Sequence, residues 1–151
     1  MAKNLGSFLE EYESIHPNEV VHIDKEIESK WEVTALAVKI DKIFKEPPIL
    51  IFHKVRTVKG IVSEYPSVIN LFASRRRCAF AVRSTYENIG KDIWRRGEIK
   101  KKPEVIDKGI APVKQVIKKG DEVDLFDFPA IVHHAWDPGP YLSAGYLTAY
   151  D

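Results

Sequence analysis

The sequence predicts an α+β chain: a small α/β domain over residues 1–97, an irregular linker over 98–112, and strand-rich material over 113–151. Three observations carry that reading. Val33, Leu36, Ala37, Ile40, Ile43 and Phe44 recur at i, i+3, i+4 and i+7, the apolar stripe of a half-buried helix. Ile49 to Phe52 and Val68 to Phe72 are short, nearly continuous apolar runs, as in strands covered on both faces. Between Glu98 and Pro112, a KKP triplet, a glycine and a second proline interrupt any periodicity.

The elements follow in order. Asn4 or Ser7 can cap a first helix whose apolar residues are Leu5, Phe8, Leu9 and Tyr12, and His16-Pro17 stops it. Val20 to Ile23 reads as a short strand, and Asp24 to Ser29 leads into the striped helix. Pro47 and Pro48 end that helix, and the polar stretch from His53 to Pro66 joins the two apolar strands. Ser74 then caps a helix through Arg83, and Thr85 caps another through about Arg96, closed by Gly97. Beyond the linker, Val113 to Ile117 reads as a strand, KKGDE as its turn and DLFDFP as an extended approach to the last segment. In AWDPGPY, Pro138 fixes φ, Gly139 permits a positive φ, and Trp136 and Tyr141 are placed to pack across the corner. Tyr141 to Tyr150 is apolar on both faces and is expected to lie inside a sheet whose other strands come after residue 151.

Composition narrows the function classes. A chain of 151 residues suits one ordinary domain, or a small domain followed by part of another. With 44% hydrophobic and 30% charged residues and a net charge of +1, it reads as soluble, with no bulk attraction to nucleic acid. Cys78 is the single cysteine, so neither an internal disulfide nor a cysteine-based zinc site can form, which fits a reducing, cytoplasmic setting. No apolar run approaches the roughly 20 residues of a membrane span.

Few residues stand out for chemistry. Arg75, Arg76 and Arg77 occupy the first turn of a helix, where the macrodipole is already positive, so they require carboxylates or a bound anion. Carboxylates of this chain or of a neighbouring subunit are the expected partners, with an anion site or interface as the alternative. Arg75, on the face of Cys78 and Val82, is the one expected to point inward. His133 and His134 project to opposite sides of an extended backbone, and His16, His22 and His53 are scattered without zinc-type spacing, so structural or solvent-facing roles are expected. RRGEIKKKPE contains one aromatic, Trp94, and reads as solvated surface. Binding of RNA or an anion through the arginines and Lys100 to Lys102 is the weakest reading. Glu10, Glu11, Glu13, Glu26, Glu28 and Glu32 lie on helix surfaces and approaches, and no phosphate loop or nucleophile elbow is present.

Taken in order, VVHIDKEI, NLFASRRRCAFAV, KGDEVDLFDFP and HHAWDPGPYLSAGYLTAYD resemble the opening portion of the UbiD-type decarboxylases over nearly the whole chain. The resemblance implies a reversible, non-oxidative carboxy-lyase acting on a small aromatic, heteroaromatic or α,β-unsaturated acid. It implies prenylated FMN, a divalent metal (Mn or Mg) with K as a further ion, and a homo-oligomer when complete, with no nucleic-acid or membrane partner. It also implies that residues 113–151 begin a split β-barrel flavin-binding domain. The family's N-x-S-x-x-R element is expected shortly after Asp151, and its His and Glu metal ligands later still. No catalytic, cofactor-binding or metal residue therefore carries over to this chain, which is expected to be inactive alone. The alternative is a non-catalytic accessory module, its exposed strand completed by a partner chain.

Overall fold

The structure, a computed structural model, describes residues 4–143. Helix α1 (Leu5–Ile15) starts at Asn4, whose side chain accepts the Ser7 N–H (2.8 Å) while the Ser7 hydroxyl accepts the Asn4 N–H (3.1 Å). A turn over Pro17–Glu19 leads to β1 (Val20–Ile23), β2 (Ile27–Glu28), α2 (Glu32–Ile43), β3 (Ile49–Phe52), β4 (Val55–Arg56), β5 (Ser67–Ile69), α3 (Arg75–Ala81) and α4 (Ile89–Gly97).

Two parallel pairings organise the domain. β1 pairs with β3, Val20 opposite Ile49 through Ile23 opposite Phe52, and β2 pairs with β4, Ile27 opposite Val55. α2 supplies the crossover that parallel pairing demands. β5 closes the larger sheet antiparallel to β3, giving the order β1-β3-β5. Every residue of β3 is buried because both faces are covered. Leu50 and Phe52 meet Val33, Ala37, Val55 and Ile131, whereas Ile49 and Ile51 meet Phe8, Tyr12 and Val20. Each such side chain contributes about 1.5–3 kcal/mol of transfer free energy.

Several boundaries differ from the sequence expectation. β2 and β4 lie in stretches read as a lead-in and a polar connection; two-residue strands are too short to show a period-2 pattern. β5 ends at Ile69, since Asn70 takes a positive φ of 62° and turns Leu71 and Phe72 out of the sheet. Ser74 precedes α3, but its hydroxyl donates to Glu46 (2.9 Å) instead of capping the helix. α3 ends at Ala81, two residues early, just before Arg83 at φ 53°. α4 starts at Ile89, not after Thr85, whose hydroxyl accepts the Asn88 N–H (3.3 Å) in the preceding turn. Val113 to Ile117 is not a strand: Pro112–Lys114 forms a 3-10 turn, and Val113 and Val116 are 81% and 75% exposed. Pro112 has no N–H to offer a sheet, and the Lys114 and Gln115 N–H groups bond to Ala111 and Pro112 locally. The approach expected to be extended is likewise a turn, Leu125–Asp127, with the Asp124 carboxylate accepting the Phe126 N–H (2.8 Å). Of the expected final strand, Tyr141 forms an antiparallel bridge with Ile131, and residues 144–151 lie outside the described residues. Among the described residues no helix is long and apolar enough to cross a membrane.

Residues 124–129 are strapped to the stretch from Lys59 to Ser67. Lys59 donates to Asp124 (2.8 Å) and Asp127 (2.9 Å), the Ser63 hydroxyl to the Asp127 carbonyl (3.2 Å) and the Ser67 hydroxyl to the Pro129 carbonyl (3.1 Å). The ammonium holds both carboxylates below their ordinary range, and they raise its own pKa. Exposed ion pairs of this kind weaken with salt. Lys59→Met is expected to speed amide exchange across residues 124–128 several-fold by hydrogen-exchange mass spectrometry, and about 0.5 M NaCl should do the same to the unmodified chain.

Candidate functional site

The corner at residues 133–141 is built on one carboxylate. Asp137 Oδ2 accepts the backbone N–H groups of His134 (2.8 Å) and His133 (2.9 Å), which hold this carboxyl below the usual aspartate range. The corner rests on the start of α2: Val132 N–H donates to the Ser29 carbonyl (3.2 Å), Trp31 N–H to the Val132 carbonyl (2.9 Å), and His133 Nδ1 lies 2.8 Å from the Thr34 hydroxyl. Trp31 turns the chain into α2 with φ 73°, a left-handed conformation costly for a bulky residue. Its indole carries the Lys30 ammonium 4.5 Å from the ring centroid.

Between corner and helix start lies an open cavity of about 430 Å³, lined by Ser29, Lys30, Trp31, Thr57, Val132 and Asp137 among others. The Ser29 hydroxyl is buried without a hydrogen-bond partner, so no base activates it as a nucleophile. The cavity offers the Lys30 cation, an indole face and hydroxyls beside the Glu28 and Asp137 carboxylates, a mixed polar lining with no activated nucleophile. Two expectations at the corner fail. Trp136 is 98% exposed and does not pack across it; the ring near Tyr141 is that of His133, at 6.3 Å between centroids. Gly139 does not use a positive φ, because the Asp137 cap already turns the chain.

The arginines separate completely. Arg77, not Arg75, points inward, and it is fully buried. It donates to the Asn70 carbonyl (2.6 Å) and the Pro47 carbonyl (2.8 Å), lies 3.7 Å from Glu19 and faces the Tyr12 ring. A guanidinium enters an interior only where acceptors meet it, and the turn at Asn70 and the loop before β3 present those carbonyls on the Arg77 side. The Tyr12 hydroxyl donates to Glu19, and its pKa is raised by burial and then by that carboxylate, against the lowering effect of Arg77. Arg76 pairs with Glu46 (2.6 Å), while Arg75 lies on the surface over Tyr86 and donates to its carbonyl (2.9 Å).

These joints coincide with matches to a known family. The model of the 3-octaprenyl-4-hydroxybenzoate carboxy-lyase N-terminal domain matches residues 16–96, and that of the same family's Rift-related domain matches residues 104–151. The chain belongs to the UbiD family. Among solved structures it is similar to an evolved dimeric form of the UbiD-class enzyme HmfF from Pelotomaculum thermopropionicum in complex with prFMN. That likeness has 24% identity and a TM-score of 0.77, covering 92% of this chain and 30% of that one. A structure of HmfF with FMN gives 25% identity and a TM-score of 0.74, covering 90% of this chain and 28% of that one. Vanillic acid decarboxylase from Sedimentibacter hydroxybenzoicus, in closed form, gives 22% identity and a TM-score of 0.71, covering 93% of this chain and 29% of that one. The chain thus spans about three-tenths of the length of these UbiD-class structures. No curated protein matches the chain.

Within this UbiD chain, three of the four quoted motifs supply fastenings. NLFASRRR contributes Arg77, GDEVDL contributes Asp124, and DPGPY contributes Asp137. The cavity beside Trp31 is not evident in the sequence, because the pairing of β2 with β4 brings Ser29 to Thr57 and a separate bridge between Lys30 and Val132 brings in the corner. Among the described residues no group of three His, Cys, Asp or Glu side chains is placed to hold a metal, and Lys100 to Lys102 lie on an exposed stretch.

Arg77→Ala should lower unfolding free energy by about 3 kcal/mol in urea titration, because it strands buried carbonyls and leaves a cavity, while Arg75→Ala stays within about 0.5 kcal/mol. The depressed folded pKa of Asp137 means that its stabilisation is present above the unfolded value near 3.9 and is lost as pH falls through the lower folded value. The melting temperature is therefore expected to fall more steeply below about pH 4 in the unmodified chain than in Asp137→Asn, as read by circular dichroism.

Proposed function

We propose that this chain is the N-terminal portion of a decarboxylase that reversibly and non-oxidatively removes CO₂ from an aromatic, heteroaromatic or α,β-unsaturated carboxylic acid with prenylated FMN. The observation that carries the reading is the consecutive match of two domain models of one carboxy-lyase family, over residues 16–96 and 104–151. Support comes from similar folds named as HmfF with prFMN or FMN and as vanillic acid decarboxylase. In this reading residues 1–97 form the α/β domain, 98–112 a linker, and 113–151 the opening of a split β-barrel flavin domain. The complete enzyme is a cytoplasmic homo-oligomer.

The described residues do not themselves fit the cofactor. No three metal-ligating side chains converge among them, and in the cavity beside Lys30 the buried Ser29 hydroxyl has no hydrogen-bond partner to activate it. No chemical step is therefore assigned to them. Their role is to seat the corner against the start of α2 through the Val132–Ser29, Trp31–Val132 and Thr34–His133 hydrogen bonds.

One observation favours a second reading, an accessory module covered by a separate chain. Apolar side chains stand in solvent along the segment after α4, among them Val105 (96% exposed), Val113 and Trp136. Expression in a host that makes prenylated FMN separates the two. The 151-residue chain is expected to purify without flavin absorbance and to release no CO₂ from unsaturated acids, whereas a longer product of its gene carries the flavin and is active. A longer product that binds no flavin overturns the proposal, and a co-purifying second chain that covers the apolar segment selects the module.

A further inference from the structure

His22 and His53 are 31 residues apart, yet the fold joins them. Parallel pairing sets His22 opposite Ile51, and the His53 N–H donates to the Ile23 carbonyl (3.0 Å), extending the ladder one step past β3. Since side chains alternate along a strand, His22, Ile51 and His53 share one face of the sheet, the face that α1 covers. Both imidazoles lie at its rim, beside the last turn of α1, where they remain exposed. His22 Nδ1 is 2.8 Å from His53 Nε2, and the ring planes are within 7° of each other. On its other side, His22 Nε2 is 3.0 Å from Glu13 Oε1.

The Glu13 carboxylate accepts, so the hydrogen of a neutral His22 ring sits on Nε2, and Nδ1 keeps a bare lone pair aimed at His53. A carboxylate that fixes the tautomer of one ring nitrogen while the other is left free is the arrangement found behind metal-ligating histidines. The geometry points to a two-imidazole site for a divalent transition ion such as Zn²⁺, with His22 Nδ1 and His53 Nε2 as ligands and Glu13 as the positioning residue. On binding, His53 changes tautomer: the Nε2 hydrogen that lay between the rings is released to water and Nδ1 takes a proton from water, so Nε2 coordinates through its lone pair and the ring stays neutral. Metal–nitrogen bonds of about 2.0–2.1 Å at a tetrahedral ion place the two nitrogens about 3.3 Å apart, and because the rings now point at each other in line, each exposed imidazole must also swing by about 35° to aim its lone pair at the ion. Glu13 faces the far nitrogen of His22, and no third ligand completes the site among the described residues, so the remaining positions fall to water or an added ligand, and affinity in the micromolar range is expected.

The test is a ZnCl₂ titration of the 151-residue chain by calorimetry, with long-range ¹H–¹⁵N correlation of the imidazoles. One ion per chain is expected, with His22 Nδ1 and His53 Nε2 resonances shifting together. His22→Asn and His53→Asn should each weaken binding at least about tenfold, and Glu13→Gln by about tenfold at unchanged stoichiometry, with far-ultraviolet circular dichroism confirming that each variant is folded. If folded His22→Asn and His53→Asn chains bind Zn²⁺ as the unmodified chain does, or if the shifts fall on His16, His133 or His134 instead, the pair is only a hydrogen bond and the proposal is wrong.

Discussion

The strand Ile49–Phe52 must be covered on both faces and paired on both edges, and the rest of the domain answers that requirement. Its alternating side chains divide between two apolar clusters, so α1 is needed on one face and α2 on the other. β1 and β5 occupy its two edges. The parallel edge forces a crossover long enough for a helix, and the same chain reversal lays β2 beside β4. Uncovering one face would expose residues that have no polar alternative.

Fastenings hold the surrounding segments to this centre, and each relies on a charged or polar group meeting backbone or an opposite charge. Arg77 ties α3 to the carbonyls of Asn70 and Pro47, and Asp137 gathers the N–H groups of its own corner. Lys59 bridges two carboxylates of the segment after the linker, while Ser63 and Ser67 bind its carbonyls. These joints differ in resilience. Arg77 is inside, where acceptors cannot be replaced by water, whereas the Lys59 pairs are exposed and respond to ionic strength. The α/β unit is therefore the firm part, and the segment that carries the corner is held in a condition-dependent way.

That division suits the proposed role, in which no chemical step falls on the described residues. Trp31 in its left-handed conformation, the unpartnered Ser29 hydroxyl and the Lys30 ammonium all sit where the corner meets α2. Strain and an unsatisfied polar group at one junction mark the place where local folding preferences yield to the arrangement of larger parts.

By itself the sequence determined what rests on local chemistry and on runs of several residues. The capped start of α1 at Asn4 or Ser7, the α2 stripe, the all-buried β3 and the family resemblance were legible there, and the structure chose Asn4. The two-residue strands β2 and β4, the early end of β5 and the non-strand at Val113 were not, because pairing partners and a single left-handed residue decide them. The inward arginine was misjudged for the same reason. Helical spacing ranks faces by apolarity, but a buried guanidinium goes where free carbonyls wait, and only the tertiary structure brings Asn70 and Pro47 to Arg77, or His22 to His53.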